Sequence, residues 1–246
     1  MGARTRKERR IVVVMPAYNA EQTLERTYDD LPHDIVDSVI LVDDASEDGT
    51  VALAYQLNLK VVVHRQNRGY GANQKTCYFE ALKDGATIIA MVHPDYQYDP
   101  KLLPDIIAPI EAGLADVVLG SRMMGVSAYK QGMPWWKYLG NKLLTGLENA
   151  VFGLDLSEYH TGYRAYSREV LERLKLTDNS DSFIFDQEII TQIVESKYRI
   201  AEVPVPVRYF AEASSVGFTG SVIYGLGILS LLWRFLWRNR SVGRRT

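Results

Sequence analysis

Five short apolar runs rich in β-branched residues alternate with helical segments over the first 120 residues. The runs occupy residues 11–15, 39–42, 61–64, 86–92 and 117–120. Between them, residues 20–31, 50–57, 69–83 and 100–112 have helical composition, and Pro32 stops the first of these. Strand and helix at this spacing predict successive βαβ units, hence an α/β fold with a doubly wound, mostly parallel sheet flanked by helices. Farther along, residues 135–152 predict a long helix, 161–166 a strand and 186–196 a helix. Residues 203–207, Val-Pro-Val-Pro-Val, predict an edge strand, because proline cannot donate to a ladder. The chain of 246 residues is long enough to bury one substantial core. Three regions are expected: a basic arm over 1–10, one domain over 11–212, and an apolar and basic segment over 213–246.

Charge narrows the partners. A formal net charge of −2 gives no reason to expect nucleic acid. The two ends are nevertheless basic, with Arg4, Arg6, Lys7, Arg9 and Arg10 at one and Arg234, Arg238, Arg240, Arg244 and Arg245 at the other. The start runs straight into a strand pattern and does not read as a cleavable signal. The lone Cys77 cannot form an internal disulfide, which fits a reducing, cytoplasmic setting. Residues 213–233 carry no formal charge, but the dense apolar part covers only 222–233. That falls short of the ~20 apolar residues a spanning helix needs. With Trp233, Phe235 and Trp237 set among arginines, the tail predicts a helix lying at a membrane surface. A helix packed on the domain or on a second copy of the chain is the other reading.

Carboxylates gather where two of the strands end. Asp43, Asp44, Glu47 and Asp48 follow the 39–42 run, and His93-Pro94-Asp95-Tyr96-Gln97 follows the 86–92 run. In open α/β sheets the C-terminal strand edge is where ligands sit. Asp43 and Asp44 suit a base N–H edge or a ribose diol, since a carboxylate accepts several hydrogen bonds. Asp48 also fits a plain helix cap. Pro16-Ala17-Tyr18-Asn19 ends the first strand, and Tyr18 can stack on a flat base. Asp95 and Gln97, two apart, would face one way in an extended segment and offer oxygen to a hard cation, Mg²⁺ or Mn²⁺; a polar turn is the plainer alternative. Asn67, Gly69 and Gly71 form a glycine loop opening a helix, with Lys75 one turn in, a setting that favours phosphate. Its spacing matches neither a Walker loop nor a GxGxxG fingerprint, and a simple turn fits equally well. Arg122 and Arg164 are candidate phosphate clamps or surface ion pairs. Asp186 and Glu188 fall on different sides of a helix, and Glu188 at its start can simply offset the dipole.

In order, 13–19, 42–50, 67–69, 94–97, 120–122, 161–164 and 202–205 resemble family 2 glycosyltransferases of the GT-A fold, in particular the dolichyl-phosphate mannose synthase-like group. The resemblance covers residues 11 to about 208. It implies inverting transfer of a sugar from a nucleoside-diphosphate donor, with Mg²⁺ or Mn²⁺ on the diphosphate. Pro16, Ala17, Tyr18, Asp44 and Asp48 match nucleoside-binding positions, and Asp95 and Gln97 match metal-binding ones. Arg122 matches a phosphate-contacting arginine at the reaction centre, and Lys137 lies where a basic residue meets a lipid-phosphate acceptor. An ionised phosphate acceptor needs no general base; a hydroxyl acceptor, as in polysaccharide or glycolipid synthesis, would call on Asp186 or Glu188. Two positions depart from the family pattern. His93 stands where its DxD motif begins with aspartate, which opens the reading of an inactive nucleotide-sugar binder. Arg208 is followed by Tyr-Phe-Ala-Glu-Ala-Ser-Ser rather than Gly-x-Ser-Lys. The expected setting is a peripheral, cytoplasmic membrane surface, with a homo-oligomer contact through the tail as a further expectation.

Overall fold

A computed structural model describes residues 9–125, 128–129, 132–208 and 217–242. The predicted basic positions 4, 6, 7, 244 and 245 and the residues that follow Arg208, through 216, lie outside the described residues. Seven strands form one sheet: β1 (Ile11–Ala17), β2 (Ser38–Asp43), β3 (Lys60–Val63), β4 (Ile88–Met91), β5 (Val117–Ser121), β6 (Arg164–Ser167) and β7 (Ile200–Pro204). Their order is β3-β2-β1-β4-β6-β5-β7. All pairs are parallel except those of β6, which runs against both β4 and β5. This is the GT-A fold, α/β with a mostly parallel sheet. The β1–β4 boundary, where successive connections leave in opposite directions, is its switch point. The C-terminal ends of both strands meet there.

Helices cover both faces. On one lie α1 (Glu21–Asp29), α2 (Thr50–Gln56) and α4 (Leu103–Glu111), and on the other α3 (Tyr70–Lys83), α6 (Arg168–Arg173) and α7 (Phe185–Glu195). The strand period of two divides the core between them. Ile11, Val13 and Met15 of β1 pack with Leu24, Ala54 and Ile106, whereas Val12 and Val14 pack with Cys77, Tyr78 and Ile189. Each fully buried aliphatic side chain of this kind contributes roughly 1.5–3 kcal/mol.

The expected edge strand does lie at the edge of the sheet, but its bounds differ. Residues 200–204 form β7, three residues earlier than predicted, because β5 supplies a parallel partner there. The proline stretch follows as a bridge from Val207 to Tyr98. In the tail, what changes is the expectation that the apolar part is too short for a span. Helix α8 (Phe218–Val242) has 25 residues. Its stretch Thr219–Arg238, with mean hydropathy 1.4, is long and apolar enough to cross a membrane by length and composition. One glycine of this helix allows a close approach: a Cβ on Gly227 would stand 3.2 Å from Ile184, whereas one on Gly225 would make only ordinary contact with Leu144 at 3.7 Å. Leu144 belongs to α5 (Trp135–Phe152), which lies alongside α8, and Phe152 and Phe235 meet edge to face at 5.1 Å between centroids.

Candidate active site

A cavity of about 400 Å³ opens beside the C-terminal end of β4. Asp95 and Gln97, the predicted metal residues, both line it, as do Arg122 and Lys137. Asp95 Oδ1 accepts the Gln97 backbone N–H at 3.1 Å. Burial raises the Asp95 pKa, and neighbouring His93 offsets this only in part, so a cation would relieve the site. Burial also pushes the His93 pKa down, which keeps its ring neutral at pH 7. The ring stacks parallel to Tyr70 at 5.8 Å, and Gly162 leaves room for it: a Cβ there would stand 2.8 Å from His93 Cδ2. Among the described residues no three His, Cys, Asp or Glu side chains gather as a self-sufficient metal site. An oxygen pair completed by diphosphate and water is the arrangement Mg²⁺ favours, so the residues present fit such an ion.

The lining also carries two cationic residues, Arg122 and Lys137. Arg122 donates its backbone N–H to Glu158 Oε2 at 2.7 Å and its Nε–H to Oε1 at 2.8 Å, and Nη2 also bonds Oε1. Nη2 donates further to the His160 carbonyl at 2.6 Å. Glu158 is fully buried; burial alone would raise its pKa, but Arg122 outweighs burial and holds it below its usual value. Glu202 of β7 anchors this carboxylate's own loop, accepting the Ser157 and Glu158 N–H groups at 2.7 and 3.0 Å. Burial and the Arg122 charge both lower the Lys137 pKa. A lining that carries two cations suits an anion.

The nucleoside residues predicted from the sequence form a neighbouring patch at the same sheet edge. Tyr18 is 53% exposed, so its ring face is free for stacking. Asp43 and Asp44 are buried and already shape the edge. Asp43 accepts from the Ser46 N–H at 2.9 Å. Asp44 accepts the Arg68 and Gly69 N–H groups, both at 2.9 Å, and pairs with His64 Nδ1 at 2.7 Å. Pro16 and Ala17 close β1 beside Val42 and Asp43, and the Ala17 carbonyl accepts from Asn73 at 3.2 Å. Asn19, at φ 51°, accepts the Glu47 N–H at 2.9 Å. Asp48 accepts the first N–H of two helices, that of Thr50 at 3.0 Å and that of Glu21 at 3.1 Å, although the N-cap residues are Gly49 and Ala20.

The glycine loop is closed rather than open to phosphate. The Gly71 N–H donates to the Asp181 carbonyl at 2.8 Å, and a Cβ on Gly69 or Gly71 would stand 2.7 or 2.6 Å from a carbonyl of the 180–181 loop. Asn67 bonds the Gly69 N–H at 3.1 Å, and Lys75 turns to Asp181 at 2.8 Å. Arg164 is fully buried, donating to the Thr161 and Tyr159 carbonyls at 2.7 and 3.1 Å. Glu188 accepts the Ser180 N–H at 2.7 Å. None of Asn67, Gly69, Gly71, Lys75, Arg164 and Glu188 lines the cavity; Asp186 does, but it already accepts from Tyr70 at 2.9 Å and Gln74 at 3.1 Å.

Sequence reasoning missed Glu158, Tyr70, His160 and Tyr224, which carry no motif spacing. It also missed Glu148 of α5, which is 1% exposed with Oε2 3.0 Å from His160 Nε2. Burial raises the Glu148 pKa to about 9 and lowers that of His160 to about 4. Near pH 7 the carboxyl is therefore protonated and the imidazole neutral. A raised carboxyl pKa contributes stability that is full below its usual 4.5 and lost as pH rises toward about 9. Glu148→Gln should therefore lose less melting temperature than the wild type between pH 7 and 9. An equal loss in both proteins would refute the buried neutral carboxyl.

Comparison with known proteins fits this geometry. The family model for glycosyl transferase family 2 matches residues 12–175. The chain is 28% identical over 211 residues to polyprenol monophosphomannose synthase of Mycolicibacterium smegmatis, covering 82% of this chain and 79% of that protein. It is 26% identical over 242 residues to the UDP-N-acetylglucosamine–dolichyl-phosphate N-acetylglucosaminyltransferase of Methanococcus voltae, covering 90% and 96%. Glucosyl-3-phosphoglycerate synthase of Mycobacterium tuberculosis, solved with Mn²⁺, UDP and phosphoglyceric acid, superposes with a TM-score of 0.71 at 20% identity, covering 93% of this chain and 78% of that one. The chain belongs to glycosyl transferase family 2 and is a glycosyltransferase.

Proposed function

We propose that this glycosyltransferase moves a sugar, with inversion, from a nucleoside-diphosphate donor to a polyprenyl phosphate at the cytoplasmic membrane surface. The observation that carries this reading is what lies behind the cavity. Trp136, Lys137 and Gly140 of α5 and Ser221, Val222 and Tyr224 of α8 line it. The same two helices expose Trp135, Leu139, Leu143 and Leu147 on one and Ile223, Leu226, Trp233 and Trp237 on the other. An apolar face of this extent, bordered by Lys142, Arg234 and Arg238, suits lipid. An acceptor that reaches the cavity from this side brings an apolar tail and a phosphate head.

The division of labour follows. Tyr18, Asp43, Asp44 and the turn around Asn19 would hold the nucleoside. Asp95 and Gln97 would hold Mg²⁺ or Mn²⁺, which when bound neutralises the diphosphate leaving group. Arg122, fixed by Glu158, stabilises charge developing on that leaving group. Lys137 binds the acceptor phosphate, which is already a nucleophile. That dispenses with a general base and agrees with Glu188 being turned away from the cavity. The donor sets of the two relatives differ, since one is named for mannose and the other for N-acetylglucosamine.

Thermal shift with GDP-mannose, UDP-glucose, UDP-N-acetylglucosamine and UDP-galactose, with and without Mn²⁺, tests the donor half. The expected result is a Mn²⁺-dependent rise with one donor. No rise with any of them, from folded protein, would contradict the reading and favour an inactive scaffold.

Gly140 tests the acceptor half. It lines the cavity, and a Cβ there would meet nothing within 4 Å. Gly140→Phe should keep its melting temperature and donor binding while transfer to lipid phosphate falls on the order of a hundredfold, as misplacing a reactant by an ångström can do. Unimpaired transfer in this variant would place the acceptor elsewhere.

A further inference from the structure

We infer that Tyr96 and Arg208 are positioning residues that hold the metal-bearing turn, an inference that rests on the donor site proposed above. Tyr96 lies between Asp95 and Gln97 but does not line the cavity that they share. Its backbone sits at φ 55°, a left-handed conformation disfavoured for a residue with a Cβ. That conformation folds the chain back, so that the Gln97 N–H reaches Asp95 Oδ1 and both flanking side chains face the cavity. Tyr96 itself points the other way and is only 4% exposed.

Three side chains from two parts of the chain hold it. The Arg26 guanidinium of α1 lies 4.1 Å from the ring centroid, and that of Arg208, beyond β7, lies 4.4 Å from it. Two planar cations that close to one centroid must take opposite faces. Both are well inside the ~6 Å reach of a cation–π contact. The Tyr96 hydroxyl donates to Asp30, at the C-terminal end of α1. Arg208 also grips the turn from outside: its backbone N–H donates to the Gln97 carbonyl at 2.9 Å, and Nη2 donates to Asp99 at 2.8 Å. The antiparallel bridge from Tyr98 to Val207 completes the attachment. The stretch beyond β7 therefore closes over the back of the turn, and a disfavoured backbone conformation persists there because its neighbours over-determine it. Arg208 acts on the ion through Tyr96 and Gln97, not by contact.

The experiment measures Mn²⁺ affinity directly, from the free-ion electron paramagnetic resonance signal, with GDP or UDP present and no turnover. Full-length wild type is compared with Tyr96→Leu, Tyr96→Phe and Arg208→Gln, and each melting temperature is recorded. Tyr96→Leu and Arg208→Gln should weaken Mn²⁺ binding about tenfold, the effect a desolvated cation–π contact supports. Tyr96→Phe keeps the ring between the two arginines and should stay near the wild-type affinity. In transfer assays the weakened variants should recover kcat as Mn²⁺ is raised. A merely structural role would lower melting temperature and leave Mn²⁺ affinity unmoved. Folded Tyr96→Leu or Arg208→Gln binding Mn²⁺ as tightly as wild type overturns the clamp alone. Tyr96→Phe weakened as much as Tyr96→Leu also overturns it, since the hydroxyl bond to Asp30 would then be what matters. A wild type that binds no Mn²⁺ with either nucleotide overturns the donor-site reading together with the clamp.

Discussion

Asp95→Ala should lower sugar transfer by about a thousandfold or more. Loss of a metal ligand forfeits several kcal/mol of charge stabilisation on the leaving diphosphate, and each ~1.4 kcal/mol is a factor of ten. Gln97 and His93 cannot compensate, because neither carries a negative charge and His93 stays neutral in its buried position. The same change should not unfold the protein. Burial holds the Asp95 carboxyl above its usual range, so the charge costs stability when no cation offsets it. Asp95→Asn, which keeps the shape, should melt no lower than the wild type without metal and gain nothing when Mn²⁺ and nucleotide are added. Labelled product formation and melting temperature read the two halves of this expectation. Near-normal transfer by a folded Asp95→Ala protein would remove the metal from the account.

Glu158→Ala should be nearly as damaging, and by a different route. The Arg122 side chain is 14% exposed and loses both the Oε1 atom that its Nε and Nη2 share and the acceptor of its backbone N–H. Breaking one side of a buried pair costs about 3–5 kcal/mol, because the remaining charge is left uncompensated. The Asn141 amide N–H, which donates to the same carboxylate at 2.8 Å, loses its acceptor as well. Held by the His160 carbonyl but no longer by a carboxylate, Arg122 should meet the leaving group in a less fixed orientation, and transfer should fall about a hundredfold, as when an oxyanion donor is removed. The pH dependence carries a sign. The Glu158 pKa is held below its usual 4.5, so its stabilising contribution is full above that value and disappears as pH falls through the lower folded value. Wild type should therefore lose melting temperature steeply below about pH 4.5. Glu158→Gln should begin lower and lose less over that range. Parallel curves for the two proteins would show that this ion pair does not contribute as described.

Much of the fold was legible because strand burial and helix periodicity are local properties. The runs at 11–15 and 39–42 became β1 and β2 with small boundary shifts. That Asp95 and Gln97 share one cavity was legible from polar oxygens directly after a buried strand, but the backbone was not: the extended segment expected there is a turn, with Tyr96 at φ 55°. The reversed strand β6 was not legible either, since four residues of mixed character give no sign of direction. Partners separated along the chain were the hidden part. Glu158 is a single acid 36 residues from Arg122, and no spacing rule joins them. The loop from Asn67 to Gly71 illustrates the converse. Its glycines read equally as a phosphate cradle or as a turn, and what decided was the Asp181 carbonyl occupying the Gly71 N–H. In α8 the dense apolar part read from the sequence covered only 222–233, whereas Gly225 and Gly227 sit where the helix meets Leu144 and Ile184.

The central claim is transfer to a lipid phosphate. The most direct measurement incubates the full-length protein in detergent with Mn²⁺, a labelled nucleotide sugar that stabilises it, and a polyprenyl phosphate, and then extracts with organic solvent. The account predicts label in the organic phase that requires the lipid phosphate and Mn²⁺ and is lost with Asp95→Ala. Label that stays aqueous with the lipid, but appears on 3-phosphoglycerate or on a sugar hydroxyl when either is supplied, would contradict it.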